Sequence, residues 1–254
     1  MPTTTEDWEN EVLTDEEMSE AIKAAKELKM QKRLIREWNE KINSQELWKE
    51  PNARELFEGL RATKSKTGEW FKVTEHNRDV IYSLCLYFAN DIKLESFRKD
   101  FKLDKGILLM GPPGVGKSHL MNYFIKNPHA SYTIPTCKSI VEKYRTNWSR
   151  DEMSTTEFYS ALQPAEFGHV YNQHFLGTCF GDLGSEQEAN SYGNKRNVME
   201  EIIFNRYETG LPFFYTHVTT NLDAEMIEKV YGQRLIDRLR EMCNVLILKG
   251  ESFR

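Results

Sequence analysis

The sequence predicts an α/β fold: a five-stranded parallel sheet with helices on both faces, preceded by a helical appendage. Three observations carry this. From about residue 76 onward, short apolar runs alternate with segments of helical periodicity, the pattern of strands joined by crossover helices. One run, "GILLM" at 106–110, leads into a glycine-rich turn and then an amphipathic segment. Before residue 76 the periodicity is helical only, and charged residues fill most faces.

The elements follow in order. "TDEEMSEAIKAAKELKMQKRLIREWNEKI" predicts one long helix, with Thr14 as N-cap and Glu17 completing a capping box. Met18, Ile22, Ala25, Leu28, Ile35, Trp38 and Ile42 recur at helical spacing. A shorter helix broken near Pro51 and a polar loop complete residues 1–75. This region carries no chemical motif. Either it packs on the domain that follows, or it binds a partner through Trp38 and Trp48, whose polar surroundings require a cover. Residues 76–254 then predict strands at 106–110, 130–136, 175–181, 212–221 and 244–250. Helices are expected at 118–127, 138–147, 193–210 (ended by Gly210), 225–232 and 234–242.

Composition narrows the function. The 254 residues suffice for one α/β domain and an appendage. A net charge of −5 argues against coating nucleic acid by charge alone, while leaving room for a local basic groove. No apolar run approaches the ~20 residues that cross a bilayer, so no membrane role is expected. The start, "MPTTTEDWENEV", lacks a signal-peptide pattern. Cys85, Cys137, Cys179 and Cys243 are scattered and form no C-x-x-C pair. That argues against zinc or disulfide frameworks and fits a reducing, cytoplasmic location.

"GPPGVGKSH" is the most informative stretch. Gly111, Gly116, Lys117 and Ser118 match G-x-x-x-x-G-K-[ST], with a buried strand before and a helix after. The glycines let backbone N–H groups turn inward around phosphates, and Pro112 and Pro113 stiffen the loop. Gly111, Pro112, Pro113, Gly114, Val115, Gly116, Lys117, Ser118 and His119 are the expected nucleotide-binding residues. Lys117 would reach the outer phosphates, and Ser118 would be a Mg²⁺ ligand.

Such a site needs an acid across the sheet. Asp182, after "TCFG", is the acid at a buried strand end, and a second metal candidate beside Ser118. Asn221 ends another strand, where its amide can bond attacking water or the γ-phosphate. His217 is expected to be a buried strand histidine. Arg234 and Arg238 lie at i and i+4 on one helix face. They form either a solvated stripe or a pair supplied to the nucleotide of a neighbouring subunit, which requires head-to-tail homo-oligomers. "KSIVEKYRTNWSR" at 138–150 interleaves basic and aromatic residues, which suits single-stranded DNA as well as a solvated helix.

The succession "GILLMGPPGVGKSHL", "FGDLGSE", "NRYETG", "TTNLD", "YGQRLIDRL" and "LKGESFR" resembles DnaC-type helicase loaders and the related IstB-like transposition ATPases, both AAA+ proteins, over roughly residues 76–254. The resemblance implies a P-loop NTPase of ASCE type, binding of ATP with Mg²⁺, ATP-dependent homo-oligomers, and work in DNA replication or on mobile elements. It assigns Lys117 and Ser118 to the P-loop, Asn221 to the sensor I position and Arg238 to the arginine-finger position, with Arg234 as a second interface arginine. It also implies that residues 1–75 bind a replicative helicase or a transposase, and that the C-terminal helical lid is mostly absent. Relatives read D-D-L-G-x-E where this chain has Gly181-Asp182-Leu183-Gly184-Ser185-Glu186. Glycine replaces the acid usually assigned to Mg²⁺, and Asp182 falls on the water-activating position. Slow hydrolysis is therefore expected from a loader-type ATPase, and a scaffold or switch that barely hydrolyses is the alternative. Adjacent strand residues face opposite ways, so Asp182 could serve position 181 only through a local bulge or twist at the strand end, which Gly181 would permit.

Overall fold

The computed structural model describes residues 14, 18, 19, 22, 26, 29, 51–64, 68, 71–146, 154–164, 175–186, 189–191 and 194–250. The chain divides into two compact units, Met1–Lys49 and Glu50–Arg254. In the first, Met18 N–H donates to Thr14 O at 2.9 Å, a helical turn, and Met18 and Ile22 are exposed. Ile35, Trp38, Ile42 and Trp48 lie outside the described residues.

The second unit opens with α1 (Ala53–Arg61), started by a capping box between Asn52 and Glu55. Helices α2 (Glu75–Phe88) and α3 (Lys93–Phe97) follow. Then come β1 (Gly106–Met110), α4 (Lys117–Tyr123), β2 (Tyr132–Thr133), α5 (Cys137–Thr146), α6 (Thr155–Ser160) and β3 (Gln163–Pro164). The chain continues through β4 (Phe175–Leu183), the hairpin strands β5 (Ala189–Ser191) and β6 (Asn194–Arg196), and α7 (Val198–Glu208). It ends with β7 (Thr216–Thr220), α8 (Ala224–Tyr231), α9 (Gln233–Met242) and β8 (Cys243–Ile247).

Five parallel strands run in the order β2-β4-β7-β1-β8, with β3 antiparallel on β4. This is an α/β fold built on a mostly parallel sheet. The strand β7 stands between β1 and the acid-bearing β4. All five residues of β1 are buried, because both faces of the sheet are covered. Ile107 and Leu109 pack toward α1, α2, α3 and α4, while Leu108 and Met110 pack toward α5 through α9. Each fully buried leucine of this kind contributes roughly 1.5–3 kcal/mol.

Several elements differ from their predicted extents. The strand expected over 130–136 pairs only at Tyr132 and Thr133, then touches β4 once more as a bridge from Thr136 to Gly181. Pro135 has no N–H to give a ladder there. The helix expected from 193 starts at Val198, where Asn197 accepts the Glu200 N–H. Residues 194–196 pair instead with 189–191. Before β7, Phe213–Tyr215 form a 3₁₀ turn after Pro212. The strand β4 runs two residues past Gly181, to Leu183.

His217 is buried as expected, between the rings of Tyr87, Phe88 and Tyr132. Arg206 of α7 is fully buried 5.4 Å from the centre of the Phe180 ring, with no hydrogen-bond acceptor among the described residues. Burial lowers its pKa to about 10. Among the described residues no helix is long and apolar enough to cross a membrane.

Candidate nucleotide site

The parallel strands bring their C-terminal ends to one edge, where ligands of open α/β sheets bind. At the end of β1, Leu248 N–H donates to Met110 O at 2.7 Å, and Gly111 N–H to Thr220 O at 3.3 Å. A Cβ on Gly111 would stand 2.3 Å from Leu248 O, so only glycine lets the loop leave the sheet this tightly. Gly114 and Gly116 have φ of +88 and +97. Val115 is buried and pins the loop, while Pro112 and Pro113 are exposed.

Lys117 begins α4 directly after the left-handed Gly116, and it is only 4% exposed. Its ammonium donates to Gly111 O at 2.7 Å, Pro112 O at 2.8 Å and Asn221 Oδ1 at 2.6 Å. Ser118 is exposed beside it, and its carbonyl accepts from Asn122 Nδ2 at 2.6 Å. His119 turns its ring away from the loop. Nε2 meets Thr63 Oγ1 at 2.9 Å and the ring stacks on Phe71 at 5.1 Å, with burial lowering its pKa.

Asp182 is half-buried on a bulge. Phe180 pairs with Val218 but Leu183, rather than Asp182, pairs with Thr220, so one extra residue is inserted in β4. Asp182 itself takes the left-handed conformation, φ +56, which aspartate tolerates better than most residues. Its N–H donates to Thr219 Oγ1 at 2.9 Å. Thr220 Oγ1 donates to Leu183 O at 2.7 Å and accepts from Leu222 N at 3.0 Å. The end of β7 thus holds the acidic turn with two threonine hydroxyls. Glu186 folds back over the turn: Oε2 accepts the Gly184 N–H at 2.9 Å, and Oε1 accepts from Tyr231 Oη. The buried Cys137 thiol is pushed up, first by burial and then by the charges of Glu186, Cys179 and Asp182.

Arg234 and Arg238 lie against α7. Arg234 sits 4.7 Å over Phe204 and reaches Glu208 at 3.5 Å. Arg238 sits 4.0 Å over Tyr207, donates to its hydroxyl at 2.8 Å, and pairs with Glu241 at 3.1 Å. None of these partners belongs to the phosphate loop of the same chain. The structure therefore joins Lys117, Gly111, Pro112 and Asn221 directly, and Asp182 through β7, while the described partners of the two arginines lie on α7 and α9. A cleft of about 690 Å³ opens beside Gly111, Pro112 and Asn221, floored by Met110, Val245 and Ile247.

Sequence reasoning missed the Lys117–Asn221 bond, the Thr219 and Thr220 braces, and Tyr231. The threonines stand in "TTN" and the tyrosine in "YGQR", beside residues that were singled out, but a partner across a fold leaves no local spacing signal.

A glycine-rich loop around a buried lysine, an exposed serine at the helix start, and a carboxylate at the end of β4 are groups that a nucleotide with Mg²⁺ could use. Mg²⁺ takes only one or two protein oxygens beside phosphates and water. Among the described residues no cluster of three or more His, Cys, Asp or Glu could bind a metal alone.

No protein-family model matches the chain, and no curated protein matches it in sequence. Among solved structures it is similar to one described as the crystal structure of the DnaC helicase loader, at 17% identity and a TM-score of 0.47, covering 71% of this chain and 94% of that one.

Proposed function

We propose that this chain is an ATP-binding AAA+ protein that uses ATP and Mg²⁺ to assemble on or remodel a helicase and DNA partner. The observation that carries the nucleotide reading is the Lys117 ammonium, buried in the glycine loop at the end of β1 and bonded to Asn221 at the end of β7. Lys117 and the loop N–H groups would hold the β- and γ-phosphates. Ser118 and Asp182 would hold Mg²⁺, which neutralises phosphate charge when bound. Asn221 would orient water. Arg238 and Arg234, whose described partners lie outside their own loop, would serve a neighbouring subunit, and residues 1–75 would bind the partner. The helicase reading rests on the sequence resemblance.

A second reading, a nucleotide-dependent scaffold with little hydrolysis, is favoured by Gly181 and by the filled donors of Lys117. Equilibrium titration of the full chain with ATP and Mg²⁺ tests the site. Saturable binding that weakens about 100-fold or more in Lys117→Ala is expected. Equal binding by both proteins would sink the assignment. Phosphate release with and without single-stranded DNA and a hexameric helicase separates enzyme from scaffold.

A further inference from the structure

The turn that follows Asp182 is tied to the joint between α8 and α9 by the hydrogen bond of Tyr231 to Glu186. The turn is tightly specified. Asp182 O accepts the Ser185 N–H at 3.0 Å. Gly184 has φ +92 and presses on Leu222, where a Cβ would come within 2.4 Å of Cδ1. One oxygen of Glu186 caps the Gly184 N–H from inside the turn, and the other accepts the Tyr231 hydroxyl. Tyr231 is 6% exposed, in the same core cluster as Phe180 and Leu183 of β4. A tyrosine buried this far needs a partner for its hydroxyl, and a carboxylate is a strong one. Tyr231 is also the last residue of α8. Gly232, with φ +85 and its N–H on Glu228 O at 2.7 Å, turns the chain straight into α9, which bears Arg234 and Arg238.

We infer that Glu186 and Tyr231 are positioning residues that lock the Asp182 turn to the start of α9, so that nucleotide bound at the loop sets the placement of the arginine helix. The inference rests on the nucleotide-site reading above. Phosphate arriving at the loop must displace Lys117 from Asn221, at the end of β7. The hydroxyls of Thr219 and Thr220 already join that strand end to the Asp182 turn. From the turn, Glu186 is the only described side chain that continues to α8 by a hydrogen bond. Burial and the Glu186 charge both raise the Tyr231 pKa, so the hydroxyl remains a donor throughout the neutral range. If Glu186 were merely a cap for its own turn, removing the tyrosine hydroxyl would change stability and nothing else.

The test uses the full chain as wild type, Tyr231→Phe, Glu186→Ala and the double variant. Three quantities are measured: ATP affinity, hydrolysis at saturating ATP and Mg²⁺, and amide hydrogen exchange with and without nucleotide. Each single variant should keep affinity within about twofold and lose roughly tenfold in hydrolysis. Each should keep nucleotide protection at 111–118 while losing it at 232–242. The double variant should be no worse than either single one, as expected of two groups acting through one bond. Nucleotide protection of 232–242 that survives both single variants, or losses that add in the double variant, would overturn the inference. If the wild type shows no protection at 111–118, the nucleotide-site reading falls and this inference falls with it. Glu186→Ala decides the matter should Tyr231→Phe fail to fold, and the exchange measurement decides it should hydrolysis be too slow to follow.

Discussion

Lys117 Nζ lies 2.6 Å from Asn221 Oδ1, joining the first residue of α4 to the residue just past β7. With the carbonyls of Gly111 and Pro112, that amide occupies all three directions in which an ammonium donates. On the proposed reading, nucleotide binding would exchange these acceptors for phosphate oxygens. In Asn221→Ala the exchange costs one bond fewer, while the group that would orient water is gone. We expect ATP affinity to hold or improve, and hydrolysis to fall about 10- to 100-fold. Asn221 is exposed, so stability should change by less than about 1 kcal/mol. A variant that loses ATP binding instead would show that the amide's work is to place Lys117.

Gly181 is the position where the sequence pattern lacks an acid, and the structure has room for one. A Cβ there would sit 3.4 Å from Pro135 O and 3.5 Å from Ile134 Cγ2, and the backbone is not in the left-handed region. Gly181→Asp should therefore fold, with a melting temperature within about 4 °C of wild type. Hydrolysis should rise about fivefold or more if the missing carboxylate limits catalysis. An unchanged rate in a folded variant would show that Asp182, on its bulge, already serves the metal shell.

His217 should make the protein acid-sensitive. Burial is the main cause, with His129 and Arg206 adding, and its pKa is lowered to about 3 from an ordinary 6.5. Nδ1 accepts the Ile107 N–H at 3.1 Å, so protonation there would also set two donors against each other. Above pH 6.5 both folded and unfolded states are neutral at this group, and it gives no pH dependence. As pH falls below 6.5, the unfolded chain takes up a proton that the folded state refuses. Stability then declines toward pH 3, at up to about 1.4 kcal/mol per unit. Urea unfolding at pH 5 should show roughly 2 kcal/mol less stability than at pH 7. Equal values would mean that His217 is not held neutral.

Much of the fold was legible because strand and helix periodicities are local. β1 was predicted at its observed bounds, and α8, α9 and α5 within a residue or so. The failures are at places where a distant partner decides. Residues 194–196 read as the start of a helix, yet they pair with 189–191, and Asn197 caps the helix instead. The predicted strand 130–136 shrank because Pro135 interrupts its ladder with β4. Of the proposed site, Lys117, Ser118, Asp182 and Asn221 are singled out by motif and strand end alone. The bulge needed to re-aim Asp182 was foreseen as a requirement at Gly181. In the structure the left-handed residue is Asp182 itself.

The sequence alone determined the parallel α/β sheet, the phosphate-type loop after β1, and which strand ends carry polar groups. Those are consequences of period, glycine content and chain order, all readable within a dozen residues. Only the tertiary structure decided that Lys117 bonds Asn221, that Thr219 and Thr220 brace the Asp182 turn, and that Tyr231 holds Glu186. Each of those contacts joins residues far apart in the chain. Such a bond exists only once the sheet has set two strand or helix ends side by side, and geometry of that kind leaves no mark in local spacing.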